Sequence, residues 1–415
     1  MKDVQWSFIG LLTASLSHFL LRILLGRELG PSGLGIYTLV FTIYMFGMQF
    51  ATFGIGVALT KYVSEFSDDI NKVKEYVSAG FYGSIFTGFL TGILLFIISE
   101  YISTYLFKIP MTELLKITAL CFPFISVQRM VLGTLNGFRK MKQNAFLEIL
   151  LNVFTICLTI LLVVFFNMGV VGAIYGFTIP TIIVGIFSIR YLNRYIIYPR
   201  RLMLGVIKKI RNFGFYVAIA NSIGLINTHI DSIMVGYFTD EINVGYYAVA
   251  TLFGYALLLV PSSIQRITYP LFSKYYAKKD YAAILNLFGS WVNKTLAITL
   301  ITSFLLVICS KYVISFLFGS NYMISCSPLY ILLFGYSIYS PYVSIGGFFS
   351  SIGKVNIIYK VMGLCVLFNI FFNVLLIPRF GISGAACATS LSLIISVIIN
   401  MVIISKILKS LGVNS

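Results

Sequence analysis

Charge is what this sequence has least of. Only 10% of its 415 residues are charged, where a soluble domain carries about 25%, and that deficit excludes a soluble fold. Carboxylates are scarcer still, with 13 Asp and Glu against 30 Lys and Arg. A membrane glycosyltransferase needs acidic residues in an outer loop to hold a metal. The outer loops of the topology derived below offer only scattered Glu28, Glu100, Asp240 and Glu241, while Asp68 and Asp69 fall on the cytoplasmic side. The only two histidines, His18 and His229, make no paired-His metal motif and belong to no Ser-His-Asp order. Six cysteines lie within or beside apolar runs without a CxxC pair, which indicates neither a disulfide framework nor a zinc site. The expectation is therefore a protein that is not an enzyme and carries no metal or cofactor.

What the sequence has in abundance is apolar length: 59% of the residues are hydrophobic. A bilayer-spanning helix takes roughly 20 apolar residues. Runs between charged or Pro/Gly breaks place spans at about 6–25, 36–60, 77–99, 114–136, 146–166 and 170–189, and again at about 213–237, 245–268, 291–310, 329–350, 357–377 and 384–405. The opening MKDVQWSFIG enters its apolar run without a small-residue cleavage site, so that run reads as a retained span rather than a signal peptide. The net charge of +17 fits loops held at the cytoplasmic face better than a nucleic-acid groove. With the amino terminus inside, 22 of the 30 basic residues fall on the cytoplasmic side, 5 fall outside, and Arg22, Arg129 and Arg266 remain within spans. Both termini are expected in the cytoplasm of a multi-pass protein of the cell membrane.

Two pieces of sequence recur half a chain apart. Gly35-Ile36-Tyr37 matches Gly245-Tyr246-Tyr247 at an offset of 210, and Gly169-Val170-Val171-Gly172-Ala173 matches Gly381-Ile382-Ser383-Gly384-Ala385 at an offset of 212. Transporters are commonly built from such repeats. The expected architecture is all-α, with about twelve transmembrane helices in two pseudo-symmetric six-helix lobes, 1–205 and 206–415, around a central cavity. Six spans per lobe relate the two by an axis along the membrane normal. The basic stretch 190–211, containing Pro199, joins them.

The segments RELGPSGLGIYTLV, LTKYVSEF, LGTLNGFRKMKQNAFLEIL, DSIMVGYF and IPRFGISGAACAT, in that order and spacing, resemble the polysaccharide-export branch of the multidrug/oligosaccharidyl-lipid/polysaccharide exporter superfamily. The resemblance runs through essentially the whole chain. It implies a flippase that carries polyprenyl-diphosphate-linked oligosaccharide from the cytoplasmic to the outer leaflet by alternating access, for assembly of cell-surface polysaccharide or glycoconjugate. The implied partners are that lipid-linked oligosaccharide, the surrounding membrane lipids, and a polysaccharide polymerase or glycosyltransferases.

Ionisable groups at membrane depth are costly and are candidates for function. Ser15, His18 and Arg22 share a face of the first span, where they could meet an anion; the alternative is that Arg22 snorkels or pairs with Glu28. Arg129 in span 4 and Arg266 near the end of span 8 could receive a diphosphate through bidentate hydrogen bonds. Asp231 ends a stripe of Asn221, Gly224 and Thr228 on span 7, spaced as one helical face. It suits a gating or coupling role, through an ion pair with Arg22 across the lobes or through a partner in its own lobe. Asn369 and Asn373, four apart on span 11, read as links between helices. The rival function is a cation-coupled multidrug efflux antiporter. Such a cargo needs carboxylates in the cavity, and the in-span ionisable groups, three Arg and two His against one Asp, favour an anion instead.

Overall fold

In a bilayer each backbone polar group has to be satisfied without water, which helices achieve within one segment. The computed structural model describes residues 2–197 and 203–411, and no strand occurs among the described residues. Pro199, Arg200 and Arg201 of the basic junction lie outside the described residues. The chain divides into two compact units, Met1–Leu225 and Ile226–Ser415. The first holds α1 (Lys2–Thr52), α2 (Ile55–Glu65), α3 (Ile70–Tyr101), α4 (Thr112–Ala119), α5 (Phe122–Gly137), α6 (Met141–Ile160), α7 (Gly169–Ser188) and the start of α8 (Met203–Phe238). The second holds the rest of α8, then α9 (Glu241–Ala256), α10 (Leu259–Ala277), α11 (Tyr281–Phe318), α12 (Cys326–Ile345), α13 (Phe348–Ser351) and α14 (Val355–Ser410).

Among the described residues, 8 helical stretches are long and apolar enough to cross a membrane, or 9 if α4 and α5, bent by 42°, count as one. The expected span over 213–237 is not one of them. It lies in α8, whose Asn221, Asn227, His229 and Asp231 make it too polar on average to qualify. Two stretches are double length, Leu12–Glu65 with 54 residues and Val355–Ser410 with 56. At 1.5 Å per residue each is about 80 Å long, against a hydrocarbon core of about 30 Å. Each contains a glycine outside the helical region, Gly30 at φ 67° and Gly381 at φ 55°. Pro31 follows the first break, the position where a missing N–H is harmless and φ is preset for a new helix.

Local devices recur between the units beyond the two sequence matches. Asp69 caps α3 by accepting the Lys72 N–H at 3.1 Å, and Asp280, 211 residues on, caps α11 by accepting the Ala283 N–H at 3.0 Å. Each such cap contributes about 1 kcal/mol. After α5, Arg139 sits at φ 57° and the Lys140 N–H closes onto the Leu135 carbonyl at 2.9 Å; after α13, Gly353 sits at φ 74° and the Lys354 N–H closes onto Phe349 at 2.8 Å. Gly169 and Gly381 both take left-handed φ, 57° and 55°. Three residues beyond each, Gly172 and Gly384 face the carbonyl oxygens of Leu162 and Leu376 with no room for a larger side chain.

Inside the first unit, α2 and α5 touch backbone to backbone. A side chain on Gly133 would overlap the Gly56 carbonyl, one on Gly56 would stand 2.6 Å from the Arg129 carbonyl, and the Thr60 hydroxyl donates to the Gly133 carbonyl at 2.9 Å. Small residues of this kind let helices pack where lipid leaves no hydrophobic drive between them. Large apolar side chains such as Phe86, Ile97, Phe165 and Phe304 stay exposed. On a soluble protein they would be sticky patches; here they are the surface offered to lipid.

Candidate functional site

The first unit encloses a cavity of about 260 Å³ between α1, α5, α6 and α7. From α1 it takes Ala14, Ser17, His18 and Leu21, a run of 3, 1 and 3 that marks one helical stripe. His18 therefore faces the cavity, while Ser15 is exposed beside that stripe and Arg22 is half-buried one turn beyond His18. The far side of α1 contributes an aromatic wall. Tyr37 stacks on Phe41 at 5.8 Å, Phe41 meets Phe177 of α7 edge-on at 5.8 Å, and Tyr44 lies 5.2 Å from Phe177.

Helix α5 supplies the chemistry through two neighbours. Arg129 faces Glu148 of α6 with 4.0 Å between nitrogen and oxygen, their side chains 44% and 32% exposed. At that distance and exposure the pair is worth no more than about 1 kcal/mol. A phosphate oxygen taking hydrogen bonds of about 2.8 Å from the guanidinium would outcompete it. Gln128 is 1% exposed, lines the same cavity, and has neither its amide nitrogen nor its amide oxygen bonded. Arg129 and Glu148 also line a second cavity, about 330 Å³, with Asn136, Asn144 and Asn221. The pair thus stands as a partition between two spaces. Glu148 is the residue that sequence reasoning missed. It lies just inside an apolar run, where a carboxylate reads as belonging to the loop, and only its four-residue spacing to Asn152, another lining residue, hinted at an inward face.

In the second unit Asp231 is 4% exposed and ringed by neutral donors. One carboxylate oxygen accepts from Asn369 at 3.0 Å and Asn373 at 2.7 Å; the other accepts from Thr389 at 2.6 Å and the Tyr247 hydroxyl at 3.1 Å. Asn373 also donates to Asn369 at 2.9 Å. The two asparagines thus link α14 to α8. Four donors suit a carboxylate, which only accepts. With the two amides turned over, carboxylate, amide and hydroxyl oxygens would converge, the donor set of a hard cation; no group of three or more His, Cys, Asp or Glu stands together among the described residues. Of the rest of the stripe, Thr228 is exposed, its carbonyl accepting from the Tyr255 hydroxyl at 3.0 Å, and Asn221 is exposed at the second cavity of the first unit. Arg266 is exposed at a separate cavity of about 510 Å³ in the second unit, beside Gln265, Tyr269, Tyr339 and Tyr342. The candidates therefore resolve into three places: His18 with Arg129, Asp231 with its donors, and Arg266.

Residues 1–276 match the family model described as polysaccharide biosynthesis protein, and residues 217–375 match the MatE model. The chain is 25% identical to "Uncharacterized membrane protein MJ1068" of Methanocaldococcus jannaschii, over 99% of this chain and 84% of that one. It is 25% identical to "Probable flippase AglR" of Haloferax volcanii, over 93% of this chain and 79% of that one. Among solved structures it resembles a lipid II flippase MurJ in an inward closed conformation, with a TM-score of 0.78 at 20% identity, covering 95% and 86% of the two chains.

Proposed function

We propose, from the premise that this chain belongs to the polysaccharide biosynthesis protein family, in the polysaccharide-export branch of the exporter superfamily, that it carries a polyprenyl-diphosphate-linked oligosaccharide from the cytoplasmic to the outer leaflet by alternating access. The observation that carries this reading is the cavity of the first unit. Arg129 and His18 line it, its one carboxylate is already set against Arg129, and its amide at Gln128 is unfilled. An anionic head group suits the Arg129 and His18 lining. A diphosphate displaces Glu148 from Arg129 and takes the guanidinium in bidentate fashion. Arg22 and Ser15, on the neighbouring stripe of α1, and Arg266 at its own cavity receive the anion before or after that position.

The same reading extends to the crossing pattern. The two double-length stretches cross twice each, hinged at Gly30 and Gly381. Helix α8 crosses despite its polarity because Asp231 is satisfied internally. Counting α4 with α5 then makes twelve crossings, with both termini cytoplasmic in the cell membrane. Asp231, with Thr228 and Asn221 on its helix, serves gating or coupling. A cargo that carries its charge out of a negative interior gains about 2.3 kcal/mol per charge per 100 mV, so transport runs faster at an inside-negative potential. A multidrug antiporter is the second reading, favoured by Glu148 and the aromatic wall; its organic cation would need Glu148 freed from Arg129.

Reconstitution in liposomes with a fluorescent polyprenyl-diphosphate oligosaccharide tests the assignment. Arg129→Ala should cut transfer between leaflets at least tenfold, and Arg129→Lys should restore part of it because the charge returns without the planar fork. Undiminished transfer by Arg129→Ala would remove the cavity from the pathway.

A further inference from the structure

Helix α1 has two working faces. It turns Tyr44, Met45 and Met48 to the cavity of Arg129, and Ile43, Phe46 and Phe50, on the opposite side of the helix, to a groove of about 700 Å³ in the first unit. Helix α3 forms the other wall, with residues from every turn between Ala79 and Ile102. That is a length of about 35 Å, against a hydrocarbon core of about 30 Å. The two threonines in the groove are already bonded, Thr87 to the Ala51 carbonyl at 2.6 Å and Thr91 to the Thr87 carbonyl at 2.9 Å, so the walls offer a ligand no hydroxyl donor. Helix α8 supplies the exception. It meets the end of α1 backbone to backbone at Gly214 and Gly54, and one turn earlier it sets Ile210 and Arg211 into the groove. Arg211 is exposed and pairs with no carboxylate among the described residues. It also lines a smaller cavity of about 310 Å³ with Asn212 and Tyr216.

We propose that this groove is a site for an anionic lipid of the bilayer, with hydrocarbon chains laid between α1 and α3 and the phosphate held by Arg211. The inference goes beyond the transport function and does not rest on it. Chains alone would exchange with bulk lipid without preference, because lipid tails are as apolar as the walls. The cation is what selects. A guanidinium takes phosphate oxygens in bidentate fashion, Lys208 and Lys209 stand exposed on the same turn, and the smaller cavity gives the rest of the head group an amide and a phenol. Basic pockets between membrane helices recognise anionic head groups in this way. Volume decides against a protein partner. A helix 10 Å across laid along 35 Å occupies roughly 2,700 Å³, about four times the groove, so hydrocarbon chains fill it where a helix would rest on its rim. The two faces of α1 decide against the cargo, since a diphosphate at Arg129 has the thickness of α1 between it and the groove.

The test takes the full-length protein, delipidated in detergent, and follows the first bound lipid by native mass spectrometry during titration with phosphatidylglycerol or with phosphatidylcholine of the same chains. The native chain should bind phosphatidylglycerol about fivefold more tightly, the contribution of one basic residue near a membrane surface. Arg211→Ala should erase that preference, and Arg211→Lys should keep part of it because the charge remains without the planar fork. At Gly83, which lines the groove, a Cβ meets only Ile55 at 3.6 Å. Gly83→Leu should therefore fold, fill the groove and weaken the binding of both lipids severalfold, and it serves if Arg211→Ala fails to insert. Equal binding of the two lipids by the native chain, a preference that survives Arg211→Ala, or lipid binding untouched by Gly83→Leu overturns the inference. So does displacement of phosphatidylglycerol by equimolar polyprenyl phosphate, which would give the groove to the cargo, or a lipid-free dimer that Gly83→Leu dissociates, which would give it to a second copy of the chain.

Discussion

The internal repeat allows the two units to be compared position by position, and they have put the same places to opposite uses. By the offsets of 210 and 212, Leu21, Tyr37 and Phe177 of the first unit correspond to Asp231, Tyr247 and Thr389 of the second. In the first unit all three line a cavity, and Tyr37 meets Phe177 edge-on at 6.3 Å. In the second, Tyr247 and Thr389 both bond to Asp231, at 3.1 and 2.6 Å. A carboxylate gathers donors until its lone pairs are filled and leaves no space, whereas aromatic rings packed on each other leave an amide unbonded and a void beside it. At these repeated positions donors close around a carboxylate in the second unit, while aromatic residues border a cavity in the first.

The most severe way to break this contrast is to write one unit's residue into the other. Thr389→Phe, borrowing Phe177's side chain, removes a donor from a buried carboxylate and overfills a packed site, for a combined cost of about 3–5 kcal/mol. Folded yield by fluorescence size-exclusion chromatography should collapse, and a normal monodisperse peak would show that the Asp231 cluster is not what holds the second unit together. The repeated hairpin glycines give a subtler comparison. A side chain on Gly384 overlaps the Leu376 carbonyl, while one on Gly172 stands 2.9 Å from Met168 Cβ and 3.1 Å from the Leu162 carbonyl oxygen. Gly384→Ala should therefore lower thermal stability by about 2–3 kcal/mol and Gly172→Ala by a smaller amount, about 1 kcal/mol, with equal melting temperatures arguing against equivalent hairpins of unequal tightness. Smallest is the effect of Glu148→Gln. Releasing Arg129 from a weak partner should tighten phosphate binding by about two- to fivefold, and weaker binding would mean that Glu148 positions Arg129 rather than competing for it.

Much of the fold was legible because lipid imposes a simple rule on sequence: an apolar run becomes a helix, and breaks fall at Gly, Pro and charge. Helix α8 escaped that rule in one respect, since its polar side chains are compensated by residues far away in sequence. The duplication was visible in two glycine-bearing segments, one within a helix in both units and the other at Gly169 and Gly381, whose left-handed φ favours glycine. The Asp69–Asp280 caps and the Arg139–Gly353 turns stayed hidden because different side chains serve one geometry. At the candidate site, Asp231 stood out as a carboxylate inside an apolar run, and Arg129 as a guanidinium there. The sequence offered a cationic partner for Asp231 because charge is easy to count; its donors are two amides and two hydroxyls, which are common in membrane helices and carry no flag. Glu148 was obscured by lying at the rim of its run, and Gln128 by being neutral.

The Asp231 cluster also has a chronology. Its carboxylate leaves the ribosome 138, 142 and 158 residues ahead of Asn369, Asn373 and Thr389. At 5–20 residues per second that lead is on the order of ten seconds. For that interval an aspartate that costs about 3 kcal/mol at a helix centre has only Tyr247, 16 residues behind it, for company. With α8 crossing as proposed above, three of the four donors around its carboxylate arrive only once α14 has been made. A chain truncated before residue 369 keeps the carboxylate and loses three of its four donors, so it should accumulate less than the full chain.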